Sequence, residues 1–474
     1  MKTYKLLIVL GMIGMASCNK DELDLFPYNQ VETSQAFNTE ADITLAVNGM
    51  YTGLRTTNTY YVNGTWNIVA DALADNIIIN QTGRLTLKTF GEWRYTGEDT
   101  YLLFNGGYTI VRRANAILEN IEKFPDGAFK DNAKGEALAI RALVYFDMSR
   151  VYSKTYLNAT DSDSTLPYVV STEADITPGR ESVKSFYEKV IADLVQAQPL
   201  IAESNGVGRF KKTAVAGLLS RVYLYKGDWA NAIQSANAAL GTSPVLPNIT
   251  AFPNVWKDAT EDGVLFKVKN TNIDNLNAQG VNYYQAVTGG IKSEYVVEYN
   301  FKQLFLSNDV RASTYISTSA YNGVPYNHVV KYAGRTGSPA GVVDAKVLRT
   351  AEVILNRAES YYRNNNEPAA LVDLNLLKAN RYTGHVNVVL SGAALLNEIL
   401  KERRLELAFE GDRFWDIKRR NASVVRDGTR GDKADGTGSP YVFTTLNAGD
   451  TKFQLPFPQA EINFNTNLKQ NPGY

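Results

Sequence analysis

The segment NEILKERRLELAFEGDRFWDIKRRN, residues 397–421, holds the densest set of side chains that could do chemistry. Its carboxylates Glu410 and Asp412 could act as the acid and the base of a glycosidase. Residues two apart on a helix point in different directions, however, and Gly411 lies between these two. Opposite charges at three- or four-residue spacing instead favour a structural ion-pair network. The residues predicted to form it are Glu402, Arg403, Arg404, Glu406, Glu410, Asp412, Arg413 and Asp416.

Other reactive residue types are scarce. His328 and His385 are the only histidines. A metal site could therefore use at most two histidine ligands, and a nucleophile–histidine triad would need one of these two residues. The 49 Lys and Arg residues balance 49 Asp and Glu residues, which argues against general attraction to nucleic acid. Tyrosine, with 28 copies, is abundant and suits a wet binding face. We therefore predict a non-enzymatic binding protein without catalytic residues, metal or other cofactor.

The single cysteine, Cys18, lies at the end of an N-terminal targeting sequence. Lys2 and Lys5 precede an apolar run that is followed by small residues, the pattern of a secretory signal peptide over residues 1–17. This run is shorter than the roughly 20 apolar residues of a transmembrane helix. A cysteine at such a cleavage boundary resembles the lipobox of bacterial lipoproteins, which predicts a lipid on Cys18 and a tether over residues 18–40. An ordinary signal peptide with a chance cysteine is the alternative.

The elements that carry these side chains are mainly helical hairpins. Apolar positions at helical spacing, with small alanines where two helices approach, are typical of tetratricopeptide-like pairs. The four candidate pairs are Thr213–Leu240, with its turn at Gly227 and Asp228; Arg349–Arg381, broken at Asn364–Pro368; the helix from Gly135 with Ser185–Pro199; and Ala41–Leu54 with Tyr101–Ile121.

Two other segments lack this periodicity. Residues 241–345 are rich in Asn, Gly, Ser, Thr and Tyr and contain short strand-like runs. We predict an irregular binding subdomain there, between an N-terminal helical region at 41–240 and a C-terminal region at 346–474. The C-terminal region would contain a hairpin, the charged helix and an extended tail, and the N-terminal one an inserted binding segment at 60–100.

Several motifs together resemble the SusD/RagB family of outer-membrane nutrient-binding lipoproteins. The resemblance rests on the lipobox and on four stretches that occur in the family's order: EALAIRALVYFDMSRVY from residue 136, LRTAEVILNRAESYY from 348, ERRLELAFEGDRFWDIKR from 402 and PFPQAEINFNTNLKQNPGY from 456. It implies a mainly α fold, a SusD-like superhelix of tetratricopeptide-like hairpins with a loop-rich and short-strand-rich ligand-binding side. It also implies an outer-membrane lipid anchor that faces outward, and a TonB-dependent SusC-like transporter as partner.

The family's ligand sites imply an aromatic arc with nearby Arg and Asn, which suits oligosaccharides because sugars offer flat apolar faces and many hydroxyls. Asp71 and Asp75 could bind sugar hydroxyls or cap a helix. Peptides or other oligomeric nutrients are the alternative ligands, and a surface glycoside hydrolase and a pure peptide-binding scaffold are the rival functions. The candidates for the arc are Trp66, Arg84, Trp93, Tyr95 and Asn105, with Tyr283 and Tyr284 from the middle segment.

Overall fold

The computed structural model describes residues 36–56, 61, 65–99, 103–273 and 275–474. The predicted signal peptide, Cys18 and most of the predicted tether lie outside the described residues. The described part contains seventeen α-helices and ten short strands, which confirms the prediction of a mainly helical fold. No helix within it is both long and apolar enough to cross a membrane.

The N-terminal half consists largely of long helices. Before residue 241 they are α1 (Glu40–Thr56), α2 (Thr65–Leu73), α3 (Lys88–Gly91), α4 (Leu103–Asn120), α5 (Ala128–Tyr152), α6 (Val183–Leu200), α7 (Lys212–Lys226) and α8 (Trp229–Leu240), with strand β1 (Ile77–Ile79) after α2.

Residues 241–345 contain short helices and most of the strands. These elements are α9 (Phe252–Val255), β2 (Val264–Val268), α10 (Ala278–Tyr283), β3 (Gln285–Val287), β4 (Gly290–Lys292), β5 (Tyr295–Val297), α11 (Tyr299–Gln303), α12 (Val310–Tyr315), β6 (Ile316–Tyr321) and β7 (Val324–Val329).

The C-terminal part returns to helices and ends in a largely irregular tail. Its elements are β8 (Ala345–Arg349), α13 (Thr350–Arg363), α14 (Glu367–Ala379), α15 (Gly392–Glu406), α16 (Arg413–Arg419), β9 (Val424–Val425), β10 (Thr445–Leu446) and α17 (Gln459–Phe464).

The predicted helix pairs are present. α7 packs on α8, α13 on α14, α5 on α6, and α1 on α4. Gly227 ends α7 at a φ of 78°, a left-handed conformation that favours glycine, and the Asp228 side chain then caps α8 by accepting a hydrogen bond from the Asn231 N–H. One boundary was wrong, because Pro368 lies in the first turn of α14 and not in the break. A proline fits there since the first-turn N–H groups have no partner within the helix.

Two strand pairings tie the middle segment to its flanks, and one further sheet lies within the segment. β1 pairs with β5, β2 pairs with β8, and β3, β4, β6 and β7 form a four-stranded antiparallel sheet. The side chains of β2 and β8 join the large apolar core of α1–α8, whereas a second core gathers β5, α12 and the end of α15. The proposed domain boundaries therefore stay predictions, since the middle segment shares its strands and its cores with both flanks.

The charged helix is α15 with the turn and short helix that follow it. All eight predicted residues lie in ion pairs: Glu402, Arg403, Arg404, Glu406, Glu410, Asp412, Arg413 and Asp416. Arg403, Asp412 and Asp416 pair within the segment itself. The other partners come from distant segments, as with Asp75, which is bound by Arg413 Nε at 2.7 Å and by Arg404 Nη2 at 3.2 Å. This network thus links the end of α2 to the C-terminal helices.

Candidate functional site

Arg84 lies on the loop that follows β1. Asn80 begins this loop by accepting hydrogen bonds from the N–H and hydroxyl of Thr82, and its own N–H bonds to the Glu294 carbonyl oxygen at 3.0 Å. Leu85 has a φ of 57°, a conformation that non-glycine residues seldom adopt. These constraints fix the direction in which the loop presents Arg84 beside β5.

The guanidinium of Arg84 is held by two partners and remains accessible. Its Nε lies 3.1 Å from Glu294 Oε1, and its Nη2 donates to Asn282 Oδ1 at 2.8 Å. The Glu294 carboxylate also accepts the backbone N–H of Arg84. The Arg84 side chain is 61% exposed, while that of Glu294 is 5% exposed. A buried carboxylate therefore orients an exposed, fork-shaped donor, which suits recognition of ligand oxygen atoms.

The segment that supplies Asn282 also carries an aromatic ring, that of Tyr284. Tyr284 follows α10, is half-buried, and packs its ring edge-to-face on His328 with 5.9 Å between the centroids. His328 Nδ1 is 2.6 Å from the hydroxyl oxygen of Ser293, the neighbour of Glu294. Burial lowers the pKa of His328, which favours a neutral ring beneath Tyr284. We call the surface formed by Arg84, Asn282 and Tyr284 the Arg84 face.

Four of the predicted arc residues do not contribute to this face. Trp66, Trp93, Tyr95 and Tyr283 are 2%, 6%, 0% and 0% exposed, so the prediction that they form an exposed platform is wrong. Trp66 stacks on Trp415, the Trp93 N–H donates to the Leu73 carbonyl oxygen at 3.0 Å, and Tyr95 stacks on Phe90. Each ring is placed by core packing, which is the usual fate of a large aromatic side chain.

The remaining polar candidates also do not contribute to the Arg84 face. Asn105 is exposed on the first turn of α4, but no contact within the described part of the chain connects it to the Arg84 face. Asp71 and Asp75 are buried, and they therefore do not offer oxygens to a ligand. Burial raises the pKa of Asp71 well above its ordinary value, and the Tyr283 hydroxyl lies 3.3 Å from this carboxylate.

Sequence reasoning missed Asn282 and Glu294, both of which contact Arg84. Asn282 directly precedes the tyrosine pair that was singled out, so proximity in the sequence could have identified it. Glu294 gives no such signal, because it lies 210 residues from Arg84 along the chain.

Glu410 and Asp412, the pair considered for glycoside hydrolysis, both lie in ion pairs. Glu410 accepts from Arg349 Nη2 at 2.6 Å and from Lys331 Nζ at 2.7 Å, and Asp412 accepts from Arg403 Nη2 at 3.1 Å. Both carboxylates therefore act as structural anions within this network.

Comparisons with known proteins agree with this architecture. A family model described as "SusD family" matches residues 253–474, and one described as "Starch-binding associating with outer membrane" matches residues 22–224. The chain belongs to the SusD/RagB family. It is thus a member of a family of binding proteins that are not enzymes, which confirms the prediction of a non-enzymatic protein.

Individual relatives cover almost the entire chain. SusD-like protein P2 of Formosa agariphila is 25% identical over 100% of both chains. A SusD superfamily protein of Bacteroides vulgatus has a TM-score of 0.80 and 25% identity, and the match covers 92% of this chain and 100% of that one. A SusD-like carbohydrate binding protein of the same species has a TM-score of 0.79 and 23% identity, covering 91% of this chain and 98% of the other. The fold is therefore that of the solved SusD structures.

Proposed function

We propose that this protein binds oligosaccharides at the Arg84 face and delivers them to a TonB-dependent, SusC-like transporter of the outer membrane. The observation that carries the proposal is the exposed Arg84 guanidinium, which is held by Glu294 and by Asn282, and Asn282 lies two residues before the half-buried Tyr284. Oligosaccharides combine hydroxyl oxygens with apolar ring faces, and a guanidinium beside an aromatic ring can contact both. The starch-binding family description and the carbohydrate-binding structural relative support the same ligand class.

Lipidation of Cys18 would keep the protein at the outer membrane, facing outward. Confinement beside a transporter raises the local concentration of ligand, so a site of micromolar to millimolar affinity is sufficient for delivery. Stable attachment requires more than one acyl chain, because a single chain holds a protein only marginally.

Arg84→Ala is expected to weaken oligosaccharide binding by about tenfold or more, because hydrogen bonds from a charged donor are the stronger ones. Tyr284→Ala should weaken it as well by removing the ring. Calorimetric titration of a panel of host, plant and microbial oligosaccharides measures both effects, and a reducing-end assay run alongside should detect no cleavage.

Arg94→Ala is the matched control for Arg84→Ala. Arg94 is also an exposed arginine, with a side chain 54% exposed and paired with Glu92, but it is not part of the Arg84 face. Equal affinities of the Arg84→Ala and Arg94→Ala proteins for the ligand would contradict the proposed site. Binding of a peptide pool without any response to sugars would instead change the ligand class.

Cys18→Ala is expected to release the protein from the outer membrane, because the thiol is the proposed attachment point for the acyl chains. Fractionation of cells that are labelled with a radioactive fatty acid tests this directly. The wild-type chain should carry the label and sediment with outer membranes, whereas the variant should do neither. A variant that still carries the label would refute lipidation at Cys18.

A further inference from the structure

A cavity lined by both polar and apolar groups lies where two helices end, apart from the Arg84 face. The residues after α5 and the last turn of α16 form two of its walls, and the segment around Gly449–Gln454 forms another. Its volume is about 230 Å³. The polar residues that line it are Lys154, Thr155, Asn158, Lys418, Asn421, Asp450 and Gln454. We call it the Lys418 cavity, and it shares no residue with the Arg84 face.

Lys418 is an unusual cation in this protein. Its side chain is buried and its Nζ donates to the Arg150 carbonyl oxygen at 2.6 Å. Within the part of the chain that the structure describes, no carboxylate pairs with it, whereas the buried arginines of α15 and α16 do have carboxylate partners. An ammonium group has three N–H donors, so two remain to be used.

The charges around Lys418 do not compensate for its burial. Burial lowers the pKa of Lys418 well below its ordinary value, and the charge of Arg150 acts in the same direction. Lys154 also faces the cavity and pairs with Asp163 at 2.6 Å. Asp450 is the acidic residue of the lining, and its carboxylate accepts the Lys452 N–H at 2.8 Å. An anion placed in the cavity would favour the charged form of Lys418.

Thr155 supplies a second unused donor. Its residue is 7% exposed, and its hydroxyl has no hydrogen-bond partner among the described residues. A buried hydroxyl without a partner carries a desolvation cost that a ligand oxygen would remove. Asn158 and Asn421, both exposed, add amide groups on the lining.

We propose that the Lys418 cavity binds one sugar residue that bears a carboxylate, a hexuronic acid. The carboxylate would accept from Lys418 and from Thr155, and the ring hydroxyls would bond to the amides of Asn158, Asn421 and Gln454. The volume suits a single sugar residue, since sites for drug-sized ligands begin at roughly 300 Å³. The inference rests on the proposed function in that both treat the protein as a carbohydrate binder, but it concerns a second site.

The test is a calorimetric titration of the purified protein with glucuronate and galacturonate, with glucose and acetate as controls. We expect saturable binding of at least one uronate, with glucose and acetate each at least tenfold weaker. Lys418→Met, which keeps the length of the side chain, should weaken uronate binding at least tenfold, because it removes the charged donor. Thr155→Val, which keeps the shape, should weaken it several-fold.

Failure here is distinguishable from failure of the proposed function. Titration of the same variants with a neutral oligosaccharide reports on the Arg84 face, and Lys418→Met should leave that affinity unchanged. Arg84→Ala should in turn leave uronate binding unchanged. The inference is overturned if no uronate binds, if Lys418→Met binds uronate as wild type does, or if acetate binds as tightly as the uronates.

Discussion

Glu406→Gln is expected to lower the free energy of unfolding by about 3–5 kcal/mol, the range for breaking a buried ion pair by removing one partner. The Glu406 carboxylate accepts hydrogen bonds from Arg381 Nε at 2.8 Å, from Arg349 Nη1 at 2.7 Å and from Arg311 Nη1 at 3.5 Å. Arg381, Arg311 and Glu406 side chains are all 0% exposed. Glutamine keeps the shape but removes the charge, so three buried guanidinium groups lose their shared anion. Urea unfolding at neutral pH measures the change.

The pH dependence of this difference distinguishes lost charge from altered packing. Burial alone would raise the pKa of Glu406, but Arg381 and Arg349 outweigh it and hold the pKa well below its ordinary value of 4.5. The stabilisation is thus complete above pH 4.5 and is lost as the pH falls through the depressed pKa of the folded state. The difference between wild type and Glu406→Gln should shrink correspondingly in acid. Asp161→Asn is the control, since its exposed pair with Lys184 should leave stability unchanged. A pH-independent difference would contradict the assignment.

Trp66→Ala is also expected to destabilise the fold by about 3–5 kcal/mol, the usual cost of deleting a large aromatic side chain from a core. Trp66 is 2% exposed and stacks on Trp415 with 5.9 Å between the ring centroids. The guanidinium carbon of Arg150 lies 4.8 Å from the Trp66 ring centroid. The alanine variant therefore loses both aromatic stacking and a cation–π contact, and it leaves a cavity between α2 and α16. Thermal and urea unfolding of the purified variant measure the loss.

Tyr284→Ala provides the contrast to Trp66→Ala. Its ring is half-buried, so its truncation should change stability by about 1 kcal/mol or less while it weakens ligand binding. At a temperature where the Trp66→Ala protein is still folded, that protein should bind oligosaccharide as wild type does. If the folded Trp66→Ala protein bound the ligand more weakly without loss of stability, Trp66 would be a ligand-binding residue.

The helical part of the fold could be predicted from the sequence because its signals are local. The hairpin at Thr213–Leu240 combines helical spacing of apolar residues with a glycine at the turn, and both signals lie within one short segment. The ion-pair network of the charged helix could also be predicted, since opposite charges at three- and four-residue spacing favour ion pairs. The partners of Glu406 could not be predicted, because Arg381 comes from the turn after α14, Arg349 from β8 and Arg311 from α12.

The candidate site was less predictable for a physical reason. A tryptophan in a polar, irregular segment can pack into the core or face solvent, and only tertiary packing decides between them. Trp93 illustrates this, because the Arg426 guanidinium lies 3.9 Å from its ring centroid and covers it from a segment more than three hundred residues away. Arg84 and Tyr284 stay predicted ligand contacts, and the long-range pairing of β1 with β5 is what brings Arg84 to Glu294 and Asn282.

That pairing also bears on the order in which the molecule is assembled. Arg84 and Glu294 are 210 residues apart, and β1 can pair only after β5 has emerged. Closing so long a loop carries an entropic cost that local hairpins such as α7–α8 avoid, so contacts of this kind tend to form late in folding. During folding, the helical frame would therefore precede the Arg84 face. A nascent chain that ends before β5 could form its helical hairpins, yet it would lack the Arg84 face and could not bind a ligand there.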